Sequence, residues 1–359
     1  MNKRFLFLFL LISSSICAEK RVELVHNFTK DVNNQQIFDH PPFLPLKQGF
    51  SREGLGIITT DLSSYANVLK RPTSKGFWPR LKQKIERALH PHIALSGDIA
   101  AIVFWNYPPY AKDYDIDRIP KEKLILFMWE PPTVHPYIYR PEVQALFSKI
   151  YTWNDDLVDN VRFFKFDYPV LREMLPELVP FEEKKLCTLV IGKHSSKHPQ
   201  ELYSERERTI DFFEEKHSDD FEFYGHGWSA SDHKSYRGSI PDKLQVIKHY
   251  RFSICYENMR DVRGYITEKI FDSFAAGCVP VYLGASNIAE VIPKGCFIDR
   301  RNFNDLEELY LFLNNMEKEE YESYLSQIHT YLNSPDAKRF SQENFVKIFL
   351  NSVVQSSEK

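Results

Sequence analysis

Residues 255–285 read CYENMRDVRGYITEKIFDSFAAGCVPVYLGA. An apolar run closes at Tyr256, a turn-like polar stretch follows, and a helical segment starts near Thr267. Ile270, Phe274 and Cys278 recur at i, i+4 spacing with Phe271 and Ala275 beside them, so one stripe of this helix is buried. Gly277 and Pro280 punctuate its end, and VPVYLG returns as a short apolar strand. Strand, buried helix, strand is the repeating unit of an α/β sheet. Thr267 sits at the helix cap or in the first turn, followed by Glu268 and Lys269. The free N–H groups of that turn, with Lys269, point at whatever anion lies beyond the strand end. Glu268 can meanwhile accept hydrogen bonds from sugar hydroxyls. The plainer reading, a packed helix whose Glu268 favours the positive helix end, fits the spacing equally well.

The same alternation extends in both directions. RVELVHNF, LGIITTD, IAAIVFWN, LILFMWEPP and FSKIYTWN read as strands, and WPRLKQKIERALH as an amphipathic helix between them. A proline- and charge-rich connector near residues 169–185 precedes a second series. There LCTLVIGKHSS, FEFYGHGW and RFSICYEN read as strands, and SERERTIDFFEEKHS as a helix capped by Ser204. From Asn304 onward the chain is charged and helical. Two α/β modules follow, residues 19–180 and 181–350, with ligands expected beyond the strand ends in a cleft between them.

The 359 residues suffice for two domains, and 43% hydrophobic with 14% aromatic content supplies their cores. A net charge of −3 leaves no basic field for nucleic acid, which sets that partner aside. Residues 1–18 have an export-signal pattern, Lys3 and Arg4 before an apolar run from Phe5, cleavable or retained as a short membrane anchor. Cys187, Cys255, Cys278 and Cys296 are scattered, three of them in apolar runs, a buried-thiol pattern without metal-site spacing. Asn27-Phe28-Thr29 fits a glycosylation acceptor.

Y-E-N, a gap, Y-I-T-E-K, an apolar helix and A-G-C-V-P-V-Y-L-G-A together resemble the donor-binding region of glycosyltransferase family 10, the α-1,3/4-fucosyltransferases. The resemblance is close over residues 220–305 and thin over 125–215. It implies a GT-B fold, two Rossmann-like domains facing across a cleft, with GDP-fucose held by the second. Carried over position by position, Asn258, Tyr265, Glu268 and Lys269 would line the donor pocket, Lys269 facing the diphosphate. The family also places an arginine on the first helix of the second domain, where Arg206 and Arg208 both stand. Its guanidinium would neutralise the leaving pyrophosphate.

FMWEPPTVHP resembles the family segment that carries a glutamate at a strand end, here Glu130. A carboxylate beside Trp129 and two prolines on a partly dry cleft wall has its pKa raised toward that of a useful base. The implied reaction is an inverting displacement: Glu130 takes the proton of an acceptor hydroxyl as it attacks the fucose carbon and GDP leaves. No cofactor or metal is required, and a lactosamine-type glycan with an N-acetylglucosamine hydroxyl is the acceptor the family suggests. Two alternatives stay open: a glycoside hydrolase pairing Glu130 with a second carboxylate, and a relative that binds nucleotide-sugar without turnover. Asp113, Asp115 and Asp117, and likewise Asn154-Asp155-Asp156, read as solvated loops despite their acidic spacing. GKHSS lacks the upstream glycine of a phosphate loop, while His194 and His226 are candidates for the cleft edge.

Overall fold

The computed structural model describes residues 20–26, 37–38, 43–71 and 77–354. The signal-like segment and Asn27 lie outside them. Six strands form the first sheet: β1 (Lys20–Val25), β2 (Leu55–Thr60), β3 (Ile99–Trp105), β4 (Leu124–Met128), β5 (Lys149–Thr152) and β6 (Phe163–Lys165). All pairs are parallel, in the order β2-β1-β3-β4-β5-β6. Every residue of β3 and β4 is buried, which is why both read as unbroken apolar runs. The three-residue β6 is half-buried along its length and has no such run to mark it.

The second sheet holds β7 (Lys185–Val190), β8 (Phe221–Tyr224), β9 (Tyr250–Tyr256), β10 (Val279–Leu283) and β11 (Ile298–Asp299), also parallel, in the order β11-β10-β9-β7-β8. Helices of two turns or more are α1 (Phe43–Arg52), α2 (Phe77–Leu89), α3 (Tyr203–Lys216), α4 (Glu268–Ala275), α5 (Leu306–Asn314), α6 (Lys318–Leu332) and α7 (Gln342–Val354). Strand order in the second sheet reverses between β7 and β9, so the crevice beyond those two strand ends is where such a sheet binds ligands. The polypeptide crosses it at Ile191–Gly192, Glu257–Asn258 and the start of α4. These two parallel-sheet domains constitute a GT-B fold.

The last helix departs from the expected 181–350 division. Phe345, Phe349 and Val353 of α7, spaced four apart, sit in the first domain's core. Phe349 lies 4.6 Å from the Phe127 ring centroid and Phe345 5.6 Å from that of Trp105. Helical spacing shows that α7 has an apolar stripe but not which aromatic wall receives it.

Other local expectations need correction. Leu202, not Ser204, is the residue before α3, and the Glu201 carboxylate accepts the Ser204 backbone N–H at 3.0 Å. Asp115 is buried and takes Arg71 Nε at 2.8 Å, so only Asp113 and Asp117 of that triplet are solvated. Asp155 is no free loop acid: it pairs with Lys165 at 2.6 Å and accepts Asn287 Nδ2 from the second domain at 2.9 Å. The four cysteines among the described residues, Cys187, Cys255, Cys278 and Cys296, are buried free thiols.

Candidate active site between the two domains

Glu130 follows β4 by two residues, and its strand end is tied down from four directions. Asn106, at the end of neighbouring β3 with φ +58°, accepts the backbone N–H groups of Trp129 and Glu130, each at 2.9 Å. Tyr139 Oη donates to the Glu130 carbonyl at 2.9 Å, while Trp153 Nε1 (3.1 Å) and Tyr168 Oη donate to that of Trp129. The Glu130 side chain itself is half-buried. Burial raises its pKa above the usual carboxylate value, with Lys269 lowering it and Glu268 raising it. Two charges of the second domain therefore act on the acid of the first.

Those charges begin α4. Thr267 is its N-cap by backbone geometry but makes no side-chain cap. Its hydroxyl donates instead to Glu257 Oε2 at 2.7 Å, and its N–H to Glu257 Oε1 at 2.8 Å. Glu257 is fully buried where β9 ends, and Lys269 Nζ lies 3.3 Å from it. Lys269 Nζ also donates to Thr267 Oγ1 at 3.1 Å and stands 3.5 Å from Glu268 Oε1. Burial opposes the Lys269 charge, yet Glu268 and Glu257 outweigh it and raise the pKa. Burial likewise opposes the Glu268 charge, but Lys269 and Lys243 prevail and hold that carboxyl down at about 2.

Of the two arginines, Arg206 is the one turned inward. It is 2% exposed; Nη2 donates to the Tyr256 carbonyl at 2.7 Å and to Asn258 Oδ1 at 3.0 Å. Its Nη1 is buried without an acceptor among the described residues. A buried donor of a charged group left unpaired is costly, and an anion arriving there would satisfy it. Burial lowers the Arg206 pKa, with Tyr203, Glu257, Tyr265 and Glu268 acting to raise it. Arg208 points the other way, exposed on α3 and paired with Glu205 one turn back. It is an ordinary surface charge.

The other carried-over positions divide. Asn258 is beside Arg206, half-buried. Tyr265 is 2% exposed, its ring 4.5 Å from Trp153 and 6.3 Å from Tyr168, both of the first domain. That ring packs the two domains together. His194 is exposed 6.0 Å from the Tyr203 ring and 6.2 Å from His226, and burial together with His226 and Arg206 lowers its pKa. Among the described residues, no group of three or more His, Cys, Asp or Glu is gathered as a metal site.

Sequence reading passed over Glu257, Asn106 and Tyr203. Glu257 stood inside the quoted Y-E-N, an acid closing an apolar strand. Asn106 follows Trp105 as Glu130 follows Trp129, a W-N beside a W-E on adjacent strands. Burial raises the Tyr203 pKa, while Thr133 of the first domain and Arg206 and Lys269 of the second lower it.

Residues 182–348 match the family model described as glycosyltransferase family 10 (fucosyltransferase) C-term. The C-terminal half of the chain is a family 10 domain. An Arabidopsis thaliana α-(1,4)-fucosyltransferase is 36% identical over 71 residues, 20% of this chain and 18% of that protein. A Mus musculus 4-galactosyl-N-acetylglucosaminide 3-α-L-fucosyltransferase 9 is 28% identical over 243 residues, 66% of this chain and 58% of that protein. The chain thus spans well under two thirds of the length of these relatives. A crystal structure of an α1,3-fucosyltransferase with GDP-fucose aligns with 93% of this chain and 90% of its own at TM-score 0.55 and 13% identity, a likeness of fold. Within the family match lie Arg206, Glu257, Asn258, Glu268 and Lys269; Glu130 precedes it.

Proposed function

We propose that the protein is an inverting α-1,3-fucosyltransferase that moves L-fucose from GDP-fucose to a hydroxyl of a glycan, N-acetylglucosamine O3 or O4 being the acceptor position favoured. The observation that carries this reading is a pair of cations inside the family match: buried Arg206, whose Nη1 has no acceptor among the described residues, and Lys269, held 3.3 Å from the buried Glu257. Glu130 removes the acceptor proton as its oxygen attacks the anomeric carbon, and the raised pKa suits a base. Negative charge building on the departing diphosphate is met by Lys269, Arg206 and the α4 N–H groups that Thr267 leaves uncapped. This cationic cradle supplies the counter-charge that a divalent ion supplies in other nucleotide-sugar enzymes. The structural relatives named for GDP-fucose and the 3-α-L-fucosyltransferase relatives support the choice of donor and linkage.

A hydrolase would use Glu130 and Glu268 as its carboxylate pair, but Glu268 is engaged by Lys243 and Lys269, and Arg206 would have no part. The deciding experiment measures GDP release from GDP-fucose with and without an acceptor array. Acceptor-dependent release that falls at least about a hundredfold in Glu130→Gln, with GDP affinity retained, is the expected result. Cleavage of simple fucosides without GDP-fucose, or GDP binding with no turnover on any acceptor, would refute it.

A further inference from the structure

The amphipathic helix α2, FWPRLKQKIERAL, takes no part in the site. At 3.6 residues per turn, Phe77, Trp78, Leu81, Ile85, Ala88 and Leu89 gather within about a third of its circumference. A stripe of that kind ordinarily packs on a sheet. Here Trp78 is 75% exposed, Phe77 70%, Leu89 68% and Ile85 51%. Of the described side chains on this helix only Leu81 is even half-buried. Arg118 donates to the carbonyls of both Val68 and His90, so the exposed Val68 lies near the helix's C-terminal end. Thirteen residues make a marginal helix unless something covers the apolar side.

The charges indicate what covers it. Helical geometry sets Lys82 and Lys84 on opposite borders of the apolar stripe, and both are exposed. The helix also carries Arg80 and Arg87 against the single acid Glu86, an excess of positive charge in a chain whose net charge is −3. A second copy docked helix to helix would bring these basic borders against each other. An anionic lipid surface answers both features: acyl chains take the apolar stripe, and lysine stems lie along it with their ammonium groups at the phosphates. Trp78 and Phe77 suit the boundary between headgroup and acyl chain. At about 20 Å the helix is too short to span a bilayer and lies flat. We propose that α2 seats the first domain on the surface of a bilayer containing anionic lipid, independently of residues 1–18 and of the reaction.

The test uses the full chain with phosphatidylcholine vesicles, with or without about 30% phosphatidylserine to supply a negative surface. Co-sedimentation is combined with quenching of tryptophan fluorescence by brominated acyl chains. The expected result is association about tenfold stronger with the anionic vesicles, weakening with salt as screening grows. Quenching should disappear in Trp78→Phe while association persists. The double change Ile85→Glu and Leu89→Glu should cut association about tenfold with GDP affinity and helix content unaltered. Quenching that survives Trp78→Phe, or association unchanged by the paired glutamates, overturns the proposal. So does a concentration-dependent dimer abolished by the same pair, which would assign the stripe to a second copy.

Discussion

Arg206 and Arg208 are two residues apart on one helix, and their surroundings differ completely. Arg206 falls in phase with the buried Tyr203, Ile210 and Phe213, so its guanidinium passes under the strand end of β9. Arg208 is about 200° further round and finds only Glu205 and water. Arg206→Ala should weaken GDP binding by about 1.5–3 kcal/mol, the usual worth of hydrogen bonds to a charged group. Arg208→Ala should leave it unchanged, since exposed pairs contribute a few tenths of a kcal/mol. Titration calorimetry with GDP separates the two, and equal losses would refute the assignment. Glu130 offers a pH test. Its folded pKa is raised, so its ionisation is disfavoured in the native state, and any stability linked to its protonated form is lost as pH rises through that pKa. Glu130→Gln cannot ionise, so its melting temperature relative to the parent should climb between acidic and neutral pH. The acid limb of kcat/KM in the parent should lie above the pH of an ordinary glutamate.

At the scale of elements, α4 is legible in the sequence because its apolar stripe, terminal glycine and flanking strands agree with one another. Gly277, at φ +63°, closes the helix in the left-handed conformation where a Cβ would also collide with Leu178. What the stretch did not show is that Thr267 surrenders its cap to Glu257. That depends on β9 ending beside α4 with a buried carboxylate, a tertiary fact that no local pattern encodes. Domain-level patterning fared similarly: β3, β4, β7, β9 and β10 announce themselves as apolar runs, whereas β6 owes its place to pairing with β5 alone. Removing Glu257 leaves the Thr267 N–H and hydroxyl and the Lys269 ammonium short of a partner in a buried setting. Glu257→Ala should therefore cost about 3 kcal/mol of stability, near the low end for breaking a buried ion pair. Glu257→Gln, whose amide oxygen still accepts the Thr267 N–H, should recover part of that loss. Urea denaturation midpoints measure both, and an alanine variant as stable as the parent would remove Glu257 from this role.

On the scale of the molecule, the proposed reaction needs the carboxyl group of one domain held against cations of the other. Contacts that set that distance include Tyr265 on Trp153, Asn287 on Asp155, and Arg339 on Asp167 at 2.9 Å. Just beyond Arg339, α7 carries the chain back onto the first sheet, so the second domain is anchored to the first by both of its ends. Phe349 is the centre of that anchor, with its ring 4.6 Å from Phe127, 5.8 Å from Phe50 and 6.2 Å from Trp105. Phe349→Ala should destabilise the protein by about 3–5 kcal/mol, the range for deleting a buried aromatic ring. Its functional effect is more diagnostic than its size. The donor-side groups Arg206, Glu257 and Lys269 all belong to the second domain, and α7 touches none of the hydrogen bonds that hold them. In the folded variant, GDP affinity should remain within about twofold, under 0.5 kcal/mol, while transfer to acceptor falls by tenfold or more as Glu130 loses its register with the fucose carbon. Parallel measurement of GDP binding and acceptor-dependent turnover below the melting transition decides it. If the two fall together, α7 supports the donor domain itself, and the proposed division of labour between the domains is wrong.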